Sequence, residues 1–285
     1  MKKLLLLFIM ALTICTLASC KKESNELVIV RLDQGFIGDN EDDLSVSIGI
    51  KKGNTELQNL INGALAKISQ DERNQLMVDA LERANGNVAG EVVTLPAHDA
   101  SKPNLVVGLE CDYSPFNWTD IKDNDYNFPI DGLNGQYADG YDIQIAALIA
   151  KEIGYNLVIK KYNWDALIPA LQSNDINAII AGMTDTEERR QSIDFTDKYY
   201  TSELVLVVKK SSPLASITNI SELSGYKVIS QLGTVTDTII DQIPGVKHLT
   251  PVDTFRTAAM AVMSGDADAM TAEYPVALSI VNSSK

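Results

Sequence analysis

After residue 103 the chain alternates, twice over, between short apolar runs and amphipathic stretches, and this alternation restricts the fold more than any other feature. In the first block the pattern predicts strands at 105–107, 157–159 and 178–180. It also predicts a helix over 141–153, stopped by Gly154, and another near 166–171. The second block opens with a strand at 204–208. It continues with a strand at 227–229, helices at 236–243 and 254–263, a strand at 267–270 and a helix at 275–281. Two such blocks predict two α/β lobes.

What precedes them is incomplete by itself. Residues 27–30 and 45–50 read as strands, separated by a long polar connection that includes Asp39-Asn40-Glu41-Asp42-Asp43. Thr55-Glu56-Leu57-Gln58 has capping-box form and opens a helix with Leu57, Leu60, Ile61, Leu65 and Ile68 on one face. Ser69-Gln70-Asp71-Glu72 repeats that signal for a second helix carrying Leu76, Met77, Ala80 and Leu81. Two strands and two helices cannot close a core, so this segment needs strands supplied from elsewhere. Residues 85–102 lack periodicity and read as a linker.

Residues 1–20 have the form of a secretory signal: basic Lys2-Lys3, an apolar run from Leu4 to Leu12, and a small-residue cleavage site. Leu17-Ala18-Ser19-Cys20 resembles the lipobox of bacterial lipoproteins, which implies cleavage before Cys20 and diacylation of its sulfur. An uncleaved anchor is the other reading, and both place the remainder outside the cytoplasm at a membrane surface. Only Cys111 is then left as a thiol, which excludes an internal disulfide or a zinc site and suits a small buried residue. A net charge of −14 speaks against a nucleic-acid partner.

A Gly-rich phosphate loop, an HExxH helix and a GxSxG elbow are all missing, and His98 and His248 have no evident catalytic partner. The chemistry concentrates elsewhere. Ala181-Gly182-Met183-Thr184 leaves a buried strand, and Glu187-Glu188-Arg189-Arg190 reads as the helix start that follows. There a guanidinium is placed to grip a carboxylate, although a solvated helix start with surface arginines fits the same residues. Gln231-Leu232-Gly233-Thr234-Val235-Thr236 opens a helix after a strand, as an anion site or as an ordinary cap. Glu273 stands where a strand gives way to a helix, positioned for a ligand cation or for first-turn capping. Tyr113 and Trp164 suit the core, or a cleft where they offer flat surfaces to an apolar stem or a cation.

Several of these motifs occur in one order: Tyr113-Ser114-Pro115-Phe116, Gly140-Tyr141-Asp142, Trp164 through Leu171, Ala181 through Arg189, Asp194 through Tyr200, Gln231-Leu232-Gly233-Thr234 and Asp266-Ala267-Asp268-Ala269. Together they resemble the type 2 periplasmic binding proteins of polar amino-acid ABC importers, the bacterial extracellular solute-binding proteins of family 3. The resemblance implies a two-lobed α/β fold with hinge crossovers at 39–44 and 198–203. Lobe 1 would be 45–197, and lobe 2 would be 27–38 with 204–285; residues 21–26 form a tether. It also implies a monomer that needs no cofactor or metal, binds a small-molecule amino acid, and meets ABC permease and ATPase subunits at the membrane.

By position, Arg189 takes the α-carboxylate with the amides of Thr184, Thr234 and Val235. Glu273, the Gly182 carbonyl and the Thr184 hydroxyl take the α-ammonium, and Tyr113 and Trp164 sandwich the side chain. Most relatives have Asp where Glu273 stands. Glu110, with Gln231 opposite, meets the ligand side chain and favours arginine or lysine, then glutamine or histidine, over acidic ligands. In the family a segment similar to 27–84 closes the chain. Here it comes first, as in a circular permutant whose linker, reaching roughly 60 Å at full extension, joins the usual ends. Residues 123–139 are longer than the family's usual hairpin. A cyclohexadienyl or arogenate dehydratase on the same fold, with Glu110 or Glu273 as acid/base, and a ligand-sensing subunit are the alternative functions.

Overall fold

The computed structural model describes residues 26–33 and 44–284. The signal, Cys20, most of the tether and crossover residues 39–43 therefore lie outside the described residues. In chain order the strands and helices begin with β1 (Leu27–Val30), β2 (Ser45–Lys51), α1 (Thr55–Leu65) and α2 (Gln70–Ala84). Next come β3 (Asn104–Leu109), β4 (Asp112–Tyr113), β5 (Asn117–Asp120), β6 (Phe128–Pro129) and β7 (Tyr137–Asp139). Then follow α3 (Tyr141–Ile153), β8 (Asn156–Lys161), α4 (Leu167–Ser173), β9 (Ala178–Ile179), α5 (Glu187–Arg190) and β10 (Ile193–Thr201). The chain continues with β11 (Leu204–Lys209), β12 (Lys227–Ile229), α6 (Val235–Thr238), β13 (Lys247–His248), α7 (Phe255–Ser264), β14 (Ala269–Glu273) and α8 (Tyr274–Ser283).

The strands form two five-stranded sheets, β10-β2-β9-β3-β8 and β1-β11-β14-β12-β13, and a small third sheet, β4-β5-β7-β6. The two larger sheets share one plan. Each has three mutually parallel strands (β8, β3 and β9; β13, β12 and β14), then two antiparallel ones (β2 and β10; β11 and β1). The N-terminal segment thus finds the partners it lacks: β2 inserts between β9 and β10, and β1 edges the other sheet.

Two crossovers join the lobes, from β10 to β11 and from β1 to β2. β10 runs on to Thr201, opposite Ser45, so the crossover expected at 198–203 shrinks to Ser202 and Glu203. Arg31 ties the two crossovers together by an ion pair to Glu203 at 2.6 Å.

Local chemistry sets the boundaries. Gly154 ends α3 in the left-handed conformation, as the sequence predicts. Ser69 and Glu72 form the expected capping box, whereas α1 is capped one residue before the predicted box, by the Asn54 side chain. The helix predicted at 236–243 is a four-residue α6 continued as a 3-10 turn over Ile239–Gln242. The strand predicted at 267–270 lies later, at β14. At Gly140 a Cβ would lie 2.2 Å from the Phe116 carbonyl oxygen, and this close approach seats the start of α3 on the 115–116 backbone.

The segment 123–139 covers an exposed edge. Ile130 bridges Ile159, and the Asp131 amide donates to the Ile159 carbonyl at 2.8 Å, along the outer strand β8. Buried Arg83, at the end of α2, pairs with buried Asp139 at the end of the same segment at 3.1 Å.

Candidate ligand-binding site

The two sheets aim their strand ends at a common cleft. In lobe 1, β3 delivers Glu110, and the next residue, Cys111, turns the chain with a φ of +54° so that β4 presents Tyr113. β9 leads into Gly182, whose φ of +59° and closeness to Tyr113 leave no room for a side chain: a Cβ would lie 2.7 Å from the Tyr113 ring. Thr184 follows, bridged to Val46, and then Thr186 caps α5, which carries Arg189. Trp164 starts the 3-10 turn ahead of α4. In lobe 2, β12 leads to Gln231, and Thr234 caps α6, whose Val235 amide precedes the first helical hydrogen bond. β14 ends on Glu273.

All ten residues singled out from the sequence, Glu110, Tyr113, Trp164, Gly182, Thr184, Arg189, Gln231, Thr234, Val235 and Glu273, line one narrow cavity, with Phe255 as an eleventh. Phe255 reads in sequence only as an apolar helix start. Its ring stacks on Tyr113 across the cleft at 5.1 Å, and Tyr113 stacks in turn on Phe116, also at 5.1 Å.

The lobes are closed on each other. Trp164 Nε1 and Arg189 Nη2 of lobe 1 both donate to the Gly233 carbonyl of lobe 2, at 3.1 and 3.0 Å. Gln231 Nε2 donates across the cleft to Glu110 Oε1 at 2.9 Å, and within its lobe to the Asp253 carbonyl at 2.8 Å. Both hydrogens of that amide are thereby committed, so Gln231 has only its carbonyl oxygen to offer a ligand. Away from the cavity, Ser114 and Ser279 share a hydrogen bond at 2.9 Å, and Arg256 pairs with Asp112 at 3.2 Å.

Burial sets the charges. Arg189 also donates to the Thr184 carbonyl at 2.6 Å and lies over the Trp164 ring at 5.3 Å, and desolvation holds its pKa below the ordinary value. Two of its five N–H groups meet carbonyls, leaving three for a ligand. Desolvation pushes the Glu273 carboxyl up, against the bond from Tyr113 and the charge of Arg189. Among the described residues, Glu273 Oε2 is a buried oxygen without a hydrogen-bond partner. Desolvation likewise pushes Glu110 up to about 7, with Gln231 opposing it and Asp112 adding to it. Cys111 is buried, and its thiol is pushed up to about 12 by desolvation. No cluster of His, Cys, Asp and Glu among the described residues has metal-binding geometry.

One residue has partners that the sequence reading missed. His248 donates or accepts at both nitrogens, with Asp237 and Asp241 each at 2.8 Å. The spacing of the two aspartates on one helical face was the available signal.

Comparison with known proteins agrees with this geometry. The family model for bacterial extracellular solute-binding proteins, family 3, matches residues 105–283. The chain belongs to that family. The arginine-binding extracellular protein ArtP of Bacillus subtilis is 31% identical over 159 residues, 56% of this chain and 53% of the relative. The glutamine-binding protein GlnH of the same organism's ABC transporter is 33% identical over 150 residues, 52% of this chain and 54% of the relative. An ancestral arginine-binding protein solved with arginine matches at a TM-score of 0.53 and 36% identity, covering 62% of this chain and 73% of that one. This solute-binding protein thus spans about half the length of the curated relatives it matches, and those relatives are binding proteins rather than enzymes. No helix among the described residues is long and apolar enough to cross a membrane.

Proposed function

We propose that this protein binds a polar L-amino acid outside the cytoplasm, closes its lobes around it and delivers it to the permease and ATPase of an ABC importer. The observation that carries this reading is the pairing, across one small cavity, of Arg189 with three N–H groups to give and Glu273 with a buried carboxylate oxygen to satisfy. A zwitterionic α-amino acid answers both. Its carboxylate suits Arg189 and the amides of Thr184, Thr234 and Val235. Its ammonium suits Glu273, the Gly182 carbonyl and the Thr184 hydroxyl.

The side chain then lies between Tyr113 and Trp164 and ends at Glu110 and Gln231. Glu110 is a carboxylate and Gln231 has spent its donors, so this end accepts hydrogen bonds. An ammonium or guanidinium is favoured, an amide or imidazole comes next, and a second carboxylate is disfavoured. Calorimetric titration with L-arginine, L-lysine, L-glutamine, L-histidine and L-glutamate tests the reading. Arginine or lysine should bind most tightly; a preference for glutamate, or no binding at all, refutes it.

We infer further that the chain is circularly permuted and held at the membrane as a monomer through a lipid on Cys20. The shared plan of the two sheets supports the permutation. In lobe 1 the path from β9 through α5 to β10 is continuous. In lobe 2 the counterpart elements are β14, α8 and β1, and there β1 precedes the other two in sequence instead of following them. Unpermuted, the same elements would begin at β3 and end at α2. That order would leave 27–84 outside a collinear alignment, and the family match begins at residue 105.

A further inference from the structure

One buried network ties together the two lobe 1 loops that form the cavity. The Cys111 amide donates to Asn117 Oδ1 at 2.7 Å, and Asn117 Nδ2 donates to Asp142 Oδ2 at 2.8 Å. From the other side, the Gly182 amide donates to Tyr199 Oη at 2.9 Å, and Tyr199 Oη donates to Asp142 Oδ1 at 2.7 Å. Asn117, Asp142 and Tyr199 have no solvent exposure. The anchored amides belong to Cys111 and Gly182, the two left-handed residues on which the Glu110–Tyr113 and Gly182–Thr184 loops turn. One carboxylate therefore holds both turns, each through a single intermediary.

The arrangement is costly to the fold, which argues that it serves the site. Asp142 is a fully buried carboxylate whose hydrogen-bond partners, Asn117 and Tyr199, are both neutral. A buried charge of this kind is destabilising relative to an apolar residue of its size. Its place in the first turn of α3 recovers only part of that cost. Desolvation accordingly pushes Asp142 up to about 7. The same helix end contributes Tyr141, whose hydroxyl donates to the Tyr199 carbonyl at 2.8 Å. Gly140-Tyr141-Asp142 and Tyr199, which no ligand contact accounts for, thus find one role.

We propose that Asp142 is a positioning residue for amino-acid binding: through Asn117 and Tyr199 it sets the Glu110–Tyr113 and Gly182–Thr184 loops in register, so that the lobe 1 half of the site is formed before closure. The proposal rests on the amino-acid-binding reading given above, but its geometry is open to test without a ligand.

Asp142→Asn puts an amide nitrogen opposite a donor and breaks one arm. The exchanged pair, Asn117→Asp with Asp142→Asn, restores every hydrogen bond, with only the bond between positions 117 and 142 reversed in direction. The carboxylate moved to position 117 accepts from the Cys111 amide and from the side-chain amide now at position 142, whose oxygen accepts from Tyr199. Calorimetry with L-arginine should show an affinity loss of about 30-fold for D142N and about 10-fold for Tyr199→Phe, with recovery to within about three-fold in the exchanged pair. Amide exchange followed by NMR should rise at Cys111 and Gly182 in D142N while the lobe 2 core amides of Val207 and Met270 stay protected. A merely structural aspartate would instead raise exchange across the fold, not at these two amides alone.

Unchanged affinity and exchange in D142N overturn the proposal, as does an exchanged pair that binds as weakly as D142N, or exchange that rises throughout both lobes. If D142N does not fold, Y199F and the exchanged pair decide it. A wild-type protein that binds no amino acid refutes the function instead, and exchange at Cys111 and Gly182 then decides the network.

Discussion

Arg189→Ala is the most direct test of the clamp. Arg189 keeps three N–H groups after its bonds to the Thr184 and Gly233 carbonyls, and a carboxylate held bidentately would use two of them. Hydrogen bonds to charged groups contribute about 1.5–3 kcal/mol each, so the pair is worth about 3–6 kcal/mol, or about 10²–10⁴-fold in affinity. The cost to the ligand-free fold is smaller. Two bonds to backbone carbonyls are lost, but water replaces most of each on this half-buried side chain, so the net cost is about 1–2 kcal/mol, which lowers the melting temperature by a few degrees in a chain of this size.

The two effects separate in one experiment. At a ligand concentration 100-fold above the wild-type Kd, binding stabilises the wild type by about 2.7 kcal/mol and raises its melting temperature by about 5–10 °C. At the same concentration a variant weakened 100-fold gains only about 0.4 kcal/mol, a shift of about 1 °C. Calorimetry should agree. If the variant binds L-arginine within ten-fold of wild type, Arg189 is a closure contact to Gly233 and not a carboxylate clamp, and the assignment fails.

Gly182→Ala places a Cβ 2.7 Å from Tyr113 at a φ of +59°, so titration should show affinity falling by about ten-fold or more as the ring is displaced. The pH dependence of arginine binding should follow Glu110, whose carboxyl is pushed up to about 7 by burial. A cationic side chain favours the ionised form, so affinity should rise with pH up to about 7 and level off above it, and Glu110→Gln should flatten the profile. The stability contribution runs the other way. Folded Glu110 keeps a proton that the unfolded chain releases near 4.5, so the melting temperature of the ligand-free wild type relative to E110Q should fall between pH 4.5 and 7. For His248, burial lowers the pKa but Asp241 and Asp237 raise it further. Its stabilisation is complete below the unfolded pKa of about 6.5 and lost as pH rises through the folded value, so His248→Gln should be destabilised in melts at about pH 6 and approach wild type at about pH 9.

Much of the frame was legible because its signals are local. Strands β1 and β12 and helix α3 carry their boundaries in apolar runs and in Gly154, and Ser69-Gln70-Asp71-Glu72 announces α2 by side-chain chemistry alone. The small sheet over Asp112–Asp139 was not legible: its strands are two to four residues long and rich in Asn, Asp and Thr. β10 was hidden because its charged residues and register shifts obscure alternation. At the site, individual residues stood out because strand ends and helix starts are where α/β sheets meet ligands. Phe255 did not, since nothing local separates an aromatic facing a cleft from one facing the core. The network behind the cavity joins Asn117, Asp142 and Tyr199 across spacings that have no helical or strand period.

The connection between α2 and β3 shows how the N-terminal segment is held against lobe 1. This connection follows α2 and reaches β3 over residues 85–102, where the Asn156 side chain holds its end by accepting from the Asp99 amide at 2.9 Å and donating to the Asp99 and Lys102 carbonyls. Arg83, the last charged residue before that connection, is buried against Asp139 and stacks on Tyr126, both within the 123–139 segment. That segment also covers the β8 edge through the bridge between Ile130 and Ile159. In lobe 2, α8 packs against both β1 and β11. Lobe 1, which supplies Arg189, Tyr113 and the Asp142 network, is left covalently continuous from β2 to β10. The half of the site that depends most on buried polar register is therefore built from one uninterrupted run of chain.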